Sequence, residues 1–396
     1  MTAAPAPAGS LASRRLAFGL FAVAFGTNVP TPLLLIYQHQ LHLSASVLTA
    51  VFGAYAAGLV PTLFFCGPLS DRIGRRPVAL PFAALALLTT ALFIPAGHLV
   101  ALLFVARFGQ GVVSGAVFSV CSAWLAELVG PEHAGTAGRR AAVAMTAGFS
   151  LGPLTSGLLA QFAPGPTTLP YLVHLSLMAF GLRAIWRVPE TLIRATVRRP
   201  LRGPILQPGA RPMFLLTLAP SAVCVYGFAA VPTTIIPLLL PAQGDAVAFA
   251  GLIGAVTLGC GTLVAPQARH LRAWAAPTAA ALGAVGFALC LLAVEVRLLT
   301  IALAGAVLLG AGSGLMLAAG LAVTQRLALP EARGTLSSVF YACAYVGFAG
   351  PLLVSLVDSA TGPAVSLGGL AILTALFAGW LTVWVRTFAR QAVPTG

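Results

Sequence analysis

Apolar stretches about as long as a bilayer is thick recur from one end of this chain to the other. Short segments between them hold nearly all the arginines and acids. A helix needs about 20 apolar residues to cross the hydrocarbon core. In lipid every backbone polar group must find its partner within the protein, so continuous helices are the economical solution. A β-barrel would instead alternate in segments of about 10 residues, and no such alternation is present. Of the 396 residues, 59% are hydrophobic and 8% charged, against about 25% charged in a soluble domain. Two soluble domains of this length would lack the polar surface to coat them. The pattern predicts an all-α membrane protein with spans at 16–37, 46–66, 77–95, 99–124, 140–162, 169–187, 212–238, 246–266, 276–295, 299–323, 334–357 and 364–385.

Charge placement orients these twelve spans. The net charge of +14 suggests nucleic acid in a soluble protein, but here the basic residues lie between apolar helices. With both termini in the cytoplasm, the cytoplasmic segments hold 19 of the 22 arginines and the external loops only Arg297, while Arg107 and Arg183 fall inside helices. That asymmetry is the positive-inside signal. Trp124, Trp186, Trp274, Trp380 and Trp384 fall near the same face, where indole rings are favoured. Arg14 and Arg15 before an apolar run mimic a signal peptide, but eleven more apolar segments follow, which predicts a retained first helix. The expected organisation is a disordered tail at 1–15, a six-helix bundle at 16–187, a basic cytoplasmic linker at 188–211, a second bundle at 212–386 and a tail at 387–396.

The halves echo one another. Pro131-Glu132 and Gly135-Thr136 return as Pro330-Glu331 and Gly334-Thr335; Ser114-Gly115 returns as Ser313-Gly314, and Gly148-Phe149 as Gly347-Phe348, all at an offset of 199. Gly152-Pro153 returns as Gly350-Pro351 at 198. Coincidences at one offset indicate an internal duplication.

Three motifs point to one family. After the second span comes Gly67-Pro68-Leu69-Ser70-Asp71-Arg72-Ile73-Gly74-Arg75-Arg76, which resembles the cytoplasmic loop signature of the major facilitator superfamily. Helix four carries Arg107-Phe108-Gly109-Gln110-Gly111, which resembles the family's Arg-x-x-Gln-Gly motif. Helix five carries Gly148, Gly152-Pro153 and Ser156-Gly157, which resembles the signature of the twelve-helix drug:proton antiporters, with Ser156 in place of one glycine. Asn28 before Pro30 stands where many antiporters have a carboxylate, and Pro189-Glu190-Thr191 is similar to the family's ending of helix six. The resemblance implies two pseudo-symmetric bundles related by an axis along the membrane normal. It also implies a cytoplasmic gate of Gly67, Asp71, Arg72, Gly74, Arg75, Arg76 and Glu127. In that gate the two glycines permit a tight turn, the arginines pair with Glu127, and Asp71 faces the N-terminus of helix eleven near Gly334 and Thr335, which latches the halves in the outward-facing state. Gly148, Gly152, Pro153 and Gly157 imply close packing and a kink in helix five. The second half matches mainly by topology and repeat.

From the residues themselves, Arg107, Gln110 and Ser114 share one helical face, and a buried membrane arginine marks a pathway or a structural bond to carbonyls. The eight acids all fall near one membrane face or the other. A cavity with an arginine and no carboxylate favours neutral, zwitterionic or anionic solutes. Asn28, Arg107, Gln110, Ser114 and His174 are the candidate cavity or coupling residues, with His174 the leading candidate proton carrier because imidazole titrates near neutrality; packing is its alternative role, and Asp71 and Glu127 are the alternative titrating groups. The six cysteines are single and predicted to be packing residues, with no metal site, cofactor or disulfide framework. No cluster of acids, histidines or nucleophiles suits a membrane enzyme, and a chain without lysine has no ATP-binding P-loop. The expected function is a secondary transporter of the inner membrane, monomeric, moving a small solute as a proton-coupled exporter; an importer of a metabolite, sugar or organic anion and a non-transporting sensor or scaffold are the alternatives.

Overall fold

The computed structural model describes residues 11–191, 205–240, 245–329 and 332–391. They fold into sixteen α-helices: α1 (Leu11–Asn28), α2 (Pro30–Leu41), α3 (Ala45–Ile73), α4 (Arg75–Ala91), α5 (Val100–Val129), α6 (Ala134–Phe162), α7 (Leu169–Trp186), α8 (Arg211–Met213), α9 (Ala219–Leu239), α10 (Ala246–Val264), α11 (Ala268–Leu271), α12 (Ala275–Val296), α13 (Leu299–Leu327), α14 (Arg333–Val346), α15 (Gly350–Thr361) and α16 (Pro363–Gln391). Among the described residues no strand forms beyond one isolated bridge between Leu206 and Ala328.

Ten helical stretches are long and apolar enough to cross a membrane. One of them, Ala246–Val296, runs 51 residues through α10, α11 and α12. Helix α4, with 17 residues, falls outside those ten. Large apolar side chains stay exposed along the helices, α4 included, among them Leu88, Phe162, Leu263 and Leu376, each more than half exposed. On a water-soluble surface so much exposed apolar area would drive association; here it is the face turned to lipid. The chain is a multi-pass membrane protein.

Helix ends depart from the sequence expectation in three places. The N-terminal tail expected to reach residue 15 gives way to helix at Leu11. The first span is interrupted at Val29, between α1 and α2. Pro30 has no N–H to offer the carbonyl of Gly26, and Pro32 none for Asn28, so the ladder fails there. The second span, expected to stop at residue 66, continues as helix to Ile73 with Pro68 inside it. Most of the expected linker, residues 192–204, and Pro330-Glu331 of the repeat lie outside the described residues.

Two compact units emerge, one of residues up to 191 with 245–255, the other of 205–240 with 256–391. In the first unit α5 packs on α3 and α4, and α1 on α6 and α7. Backbone contact replaces side-chain interdigitation: a Cβ on Gly58 would strike the carbonyl of Phe108, and one on Gly111 the carbonyl of Tyr55. Lipid is as apolar as the helix, so close van der Waals approach of small residues is what joins helices in a membrane. The unit's core joins Leu16 and Leu20 of α1, Val78 and Ala83 of α4, Val113, Val117 and Trp124 of α5, and Met178 and Ile185 of α7.

Trp124 corrects an expectation. It is fully buried, not an interface anchor, and its indole N–H donates to the carbonyl of Pro189 at 3.1 Å. The partner that a buried indole requires is therefore in the protein.

The second unit repeats contacts of the first. Ser114 of α5 lies 3.3 Å from the hydroxyl of Thr27 on α1; its counterpart Ser313 of α13 donates to Val225 of α9 at 2.7 Å. Gly115 backs onto Leu59 of α3, and Gly314 onto Gly261 of α10. In the second unit Tyr226, Tyr345 and Phe348 form an aromatic cluster, with the two tyrosine rings 4.7 Å apart. The proline breaks differ: α6 runs unbroken through Pro153, whereas α14 and α15 are separated by a 3-10 turn at Gly347–Ala349 before Pro351.

Candidate functional site

The break between α1 and α2 organises the polar interior of the first unit. The carbonyl of Gly26, deprived of its i+4 partner by Pro30, keeps only a long contact from the backbone N–H of Val29 at 3.3 Å and receives the side-chain amide of Gln110 at 2.7 Å. Next to it, Nη1 of Arg107 donates to the carbonyl of Thr27 and, at 2.9 Å, to Oε1 of Gln110. The guanidinium lies over the rings of Phe52 and Tyr55, 5.1 and 4.9 Å from their centroids. Arg107 is 2% exposed, and no carboxylate pairs with it among the described residues. Ser114 completes the face through the hydroxyl of Thr27.

Asn28 answers a second proline. Pro153 leaves the carbonyl of Phe149 without its helical donor, and the Asn28 amide reaches that oxygen at 3.5 Å. Ser156, the residue that interrupts the antiporter-like glycine pattern, donates to Val29 at the break at 2.8 Å. Gly148 and Gly152 let α6 lie against the backbone of α1 at Phe21 and Phe25, and Gly157 faces Gly251 of α10. The expected close packing of α6 is present.

His174 is 2% exposed, and its two ring nitrogens meet partners other than Arg107. Its Nε2 lies 3.1 Å from the carbonyl of Ala22. A carbonyl only accepts, so Nε2 carries the proton. Its Nδ1 is 2.9 Å from the hydroxyl of Thr90, which supplies the other bond of a neutral ring. The imidazole fills the space a Cβ on Gly26 would need.

At the end of α3 the gate-like motif is built differently from the expected loop. Gly67 lies within the helix with nothing near the position of a Cβ; the turn belongs to Gly74 alone, with φ +114°. Of the three arginines expected to meet Glu127, only Arg75 does, through Nε at 3.2 Å and Nη2 at 2.7 Å. The same Nη2 is 2.6 Å from Asp71, and Nη1 donates to Ser70 at 2.6 Å. Arg76 instead stacks 5.3 Å over Trp186, and Arg72 is exposed. Arg75 is buried; it is the one of the three whose geometry lets a planar fork serve several oxygens at once.

Glu190 was missed as a site residue. Its carboxylate accepts the backbone N–H groups of Arg75 at 3.0 Å and Arg76 at 2.8 Å, capping the N-terminus of α4 where negative charge is favoured. Thr191 donates to Glu127 at 2.5 Å. The signal was the Pro189-Glu190-Thr191 string, whose place beside the Asp71 turn no spacing reveals.

Multidrug resistance protein MdtL of Shewanella sp. (strain ANA-3) is 29% identical over 163 residues, 40% of this chain and 39% of that protein. MdtL of Shewanella oneidensis is 31% identical over 148 residues, 36% of each. MdtL of Escherichia coli O157:H7 (strain EC4115 / EHEC) is 36% identical over 86 residues, 22% of each. The chain thus spans about two fifths or less of the length of these relatives. Among solved structures, a POT family transporter in complex with 5-aminolevulinic acid superposes with a TM-score of 0.79 at 13% identity, over 95% of this chain and 96% of that one. A bacterial homologue of the human lysosomal transporter Spinster, in an inward-facing and unoccupied conformation, gives 0.71 at 13% identity over 98% and 99%. At such identities the likeness is one of fold. The family model described as Major Facilitator Superfamily matches residues 16–349, most of the chain, and the chain belongs to that superfamily.

Proposed function

We propose that this chain is a twelve-span secondary transporter of the inner membrane, with both termini cytoplasmic, that works as a monomer and exports a neutral, zwitterionic or anionic small compound in exchange for protons. Membership of the superfamily supports transport, and relatives named as multidrug resistance proteins support export of drug-like compounds. The observation that carries the choice of substrate is Arg107. It is a buried cation without a carboxylate partner among the described residues, and both of its hydrogen bonds leave from Nη1. Nε and Nη2 remain as charge-assisted donors, which suit an anionic or strongly polar acceptor and repel a cation.

The test is flux in proteoliposomes under an imposed proton gradient, with anionic, zwitterionic and cationic dyes offered in turn. Anionic or zwitterionic dye should move against its gradient, and Arg107→Gln should lower that flux by about 100-fold, the loss expected for one buried charge-assisted contact of ~3 kcal/mol. Transport confined to cationic dyes, with Arg107→Gln as active as the parent, would overturn the substrate class. The direction of proton-driven movement in the same vesicles separates export from import. For the Asp71 turn, we propose a gating role: Asp71→Asn is expected to keep the melting temperature within a few degrees while cutting flux at least about tenfold, because it removes a surface ion pair of small stabilising value. Near-normal flux in that variant would reject the gate.

A further inference from the structure

Where α1 begins and α7 ends, three arginines gather over an open cleft. The cleft, of about 370 Å³, is lined by Arg15, Phe18, Phe180, Arg183, Ala184 and Arg187. Arg183 stands in the last turn of α7 and Arg187 caps that helix one turn further on. Arg15 reaches across from α1, its Nη1 3.5 Å from the carbonyl of Arg187. Among the described residues no carboxylate pairs with any of the three; the ion pairs there are those of Arg75.

The apolar part of the cleft lies deeper along both helices. Phe18 is one turn further into α1 than Arg15, and Phe180 one turn further into α7 than Arg183. Both rings are exposed, Phe180 by 66%. Cations at the helix ends with phenyl rings a turn below them match, in order and in depth, a phosphate headgroup above acyl chains. A free anion in water would be served by the arginines and gain nothing from the rings.

We propose that this cleft binds an anionic phospholipid, its phosphodiester held by Arg15, Arg183 and Arg187 and its acyl chains lying along Phe18 and Phe180. The inference rests on the chain's being embedded in a bilayer and is independent of what, if anything, it transports. A bound phosphodiester would place one negative charge among three positive ones that otherwise repel one another, and would brace α1 against α7.

Purified full-length protein would be examined by native mass spectrometry and thermal shift with added phosphatidylglycerol, phosphatidylcholine or inorganic phosphate. Phosphatidylglycerol should be retained and raise the melting temperature, with phosphatidylcholine and phosphate doing neither. The exposed single variant Arg183→Gln should weaken phosphatidylglycerol retention about fivefold and the triple Arg15→Gln/Arg183→Gln/Arg187→Gln about 100-fold, the strength expected per arginine at a lipid surface. Arg269→Gln/Arg272→Gln/Arg326→Gln, an equal loss of charge elsewhere, should leave retention intact. Should the triple variant fail to fold, Arg183→Gln and Phe180→Ser, read separately, carry the test. Equal retention by the cleft variants and the charge control, equal retention of phosphatidylcholine, or equal stabilisation by inorganic phosphate would each overturn the proposal.

Discussion

At the scale of single residues, His174 shows how a titratable side chain can be held for its shape. Both ring nitrogens are engaged, one by Ala22 and one by Thr90, and the ring occupies the hollow left by Gly26. This arrangement supports a packing role over the proton-carrying one. Truncation removes a ring from a close-packed site and strands a hydroxyl and a carbonyl, a loss of about 3 kcal/mol. His174→Ala is therefore expected to lower the melting temperature by several degrees while the pH at which flux is half-maximal stays where it is. A shift in that midpoint, read from flux across a pH series, would return His174 to the coupling mechanism. Glu190 makes the complementary point: a residue with an exposed side chain fixes the start of α4 by accepting two backbone N–H groups, so exposure alone does not mark it as idle.

At the scale of elements, prolines and polar side chains form one system. Pro30 frees the carbonyl of Gly26 and Gln110 takes it; Pro153 frees that of Phe149 and Asn28 takes it. In lipid a poorly satisfied carbonyl is costly, and without Gln110 that of Gly26 would keep only the 3.3 Å N–H of Val29, so the amide and the proline should be energetically coupled. Gln110→Leu is expected to destabilise the protein by about 1–2 kcal/mol. In a Pro30→Ala background, where an N–H is restored at position 30, the same change should cost much less. Thermal unfolding of the four members of that cycle reads the coupling; purely additive losses would show that the break is maintained by something other than the missing N–H.

The same elements show what was legible beforehand. Span positions and the polar face of α5 follow from hydropathy and from helical spacing, which are local properties. That Gln110 and Asn28 serve prolines on other helices is a matter of tertiary approach, which no spacing along one chain encodes. The α3 terminus was misjudged because Gly67-Pro68 reads as a turn. A proline inside a membrane helix is tolerated when its neighbours absorb the lost bond, and here the helix continues to Ile73. Trp124 was assigned to the interface by its position along the chain, but the core around it buries the ring.

At the scale of the whole molecule, the number of crossings is the property on which orientation depends. Ten stretches are long and apolar enough to cross, and the two that would complete twelve are α4 and the division of Ala246–Val296 into two spans. Helix α4 has 17 residues, about 26 Å at 1.5 Å per residue, against a hydrocarbon core of about 30 Å. To cross, α4 would have to run nearly untilted and be lengthened by the segment through the 3-10 turn at Pro95–His98. Between α10 and α12 the backbone of Arg272 takes the left-handed sign of φ, at 50°, a reversal suited to a hairpin between two crossings. If both readings hold, position 98 faces the outside and position 272 the cytoplasm. Cysteines placed at His98 and Arg272 in a background lacking the six native cysteines should then label oppositely with a membrane-impermeant maleimide, the first in intact cells and the second only after permeabilisation. Position 297 serves as the external reference and position 72 as the cytoplasmic one. Protection of position 98 in intact cells would mean that α4 does not cross; every later loop would change sides, and the nineteen-to-one arginine asymmetry would lose its physical meaning.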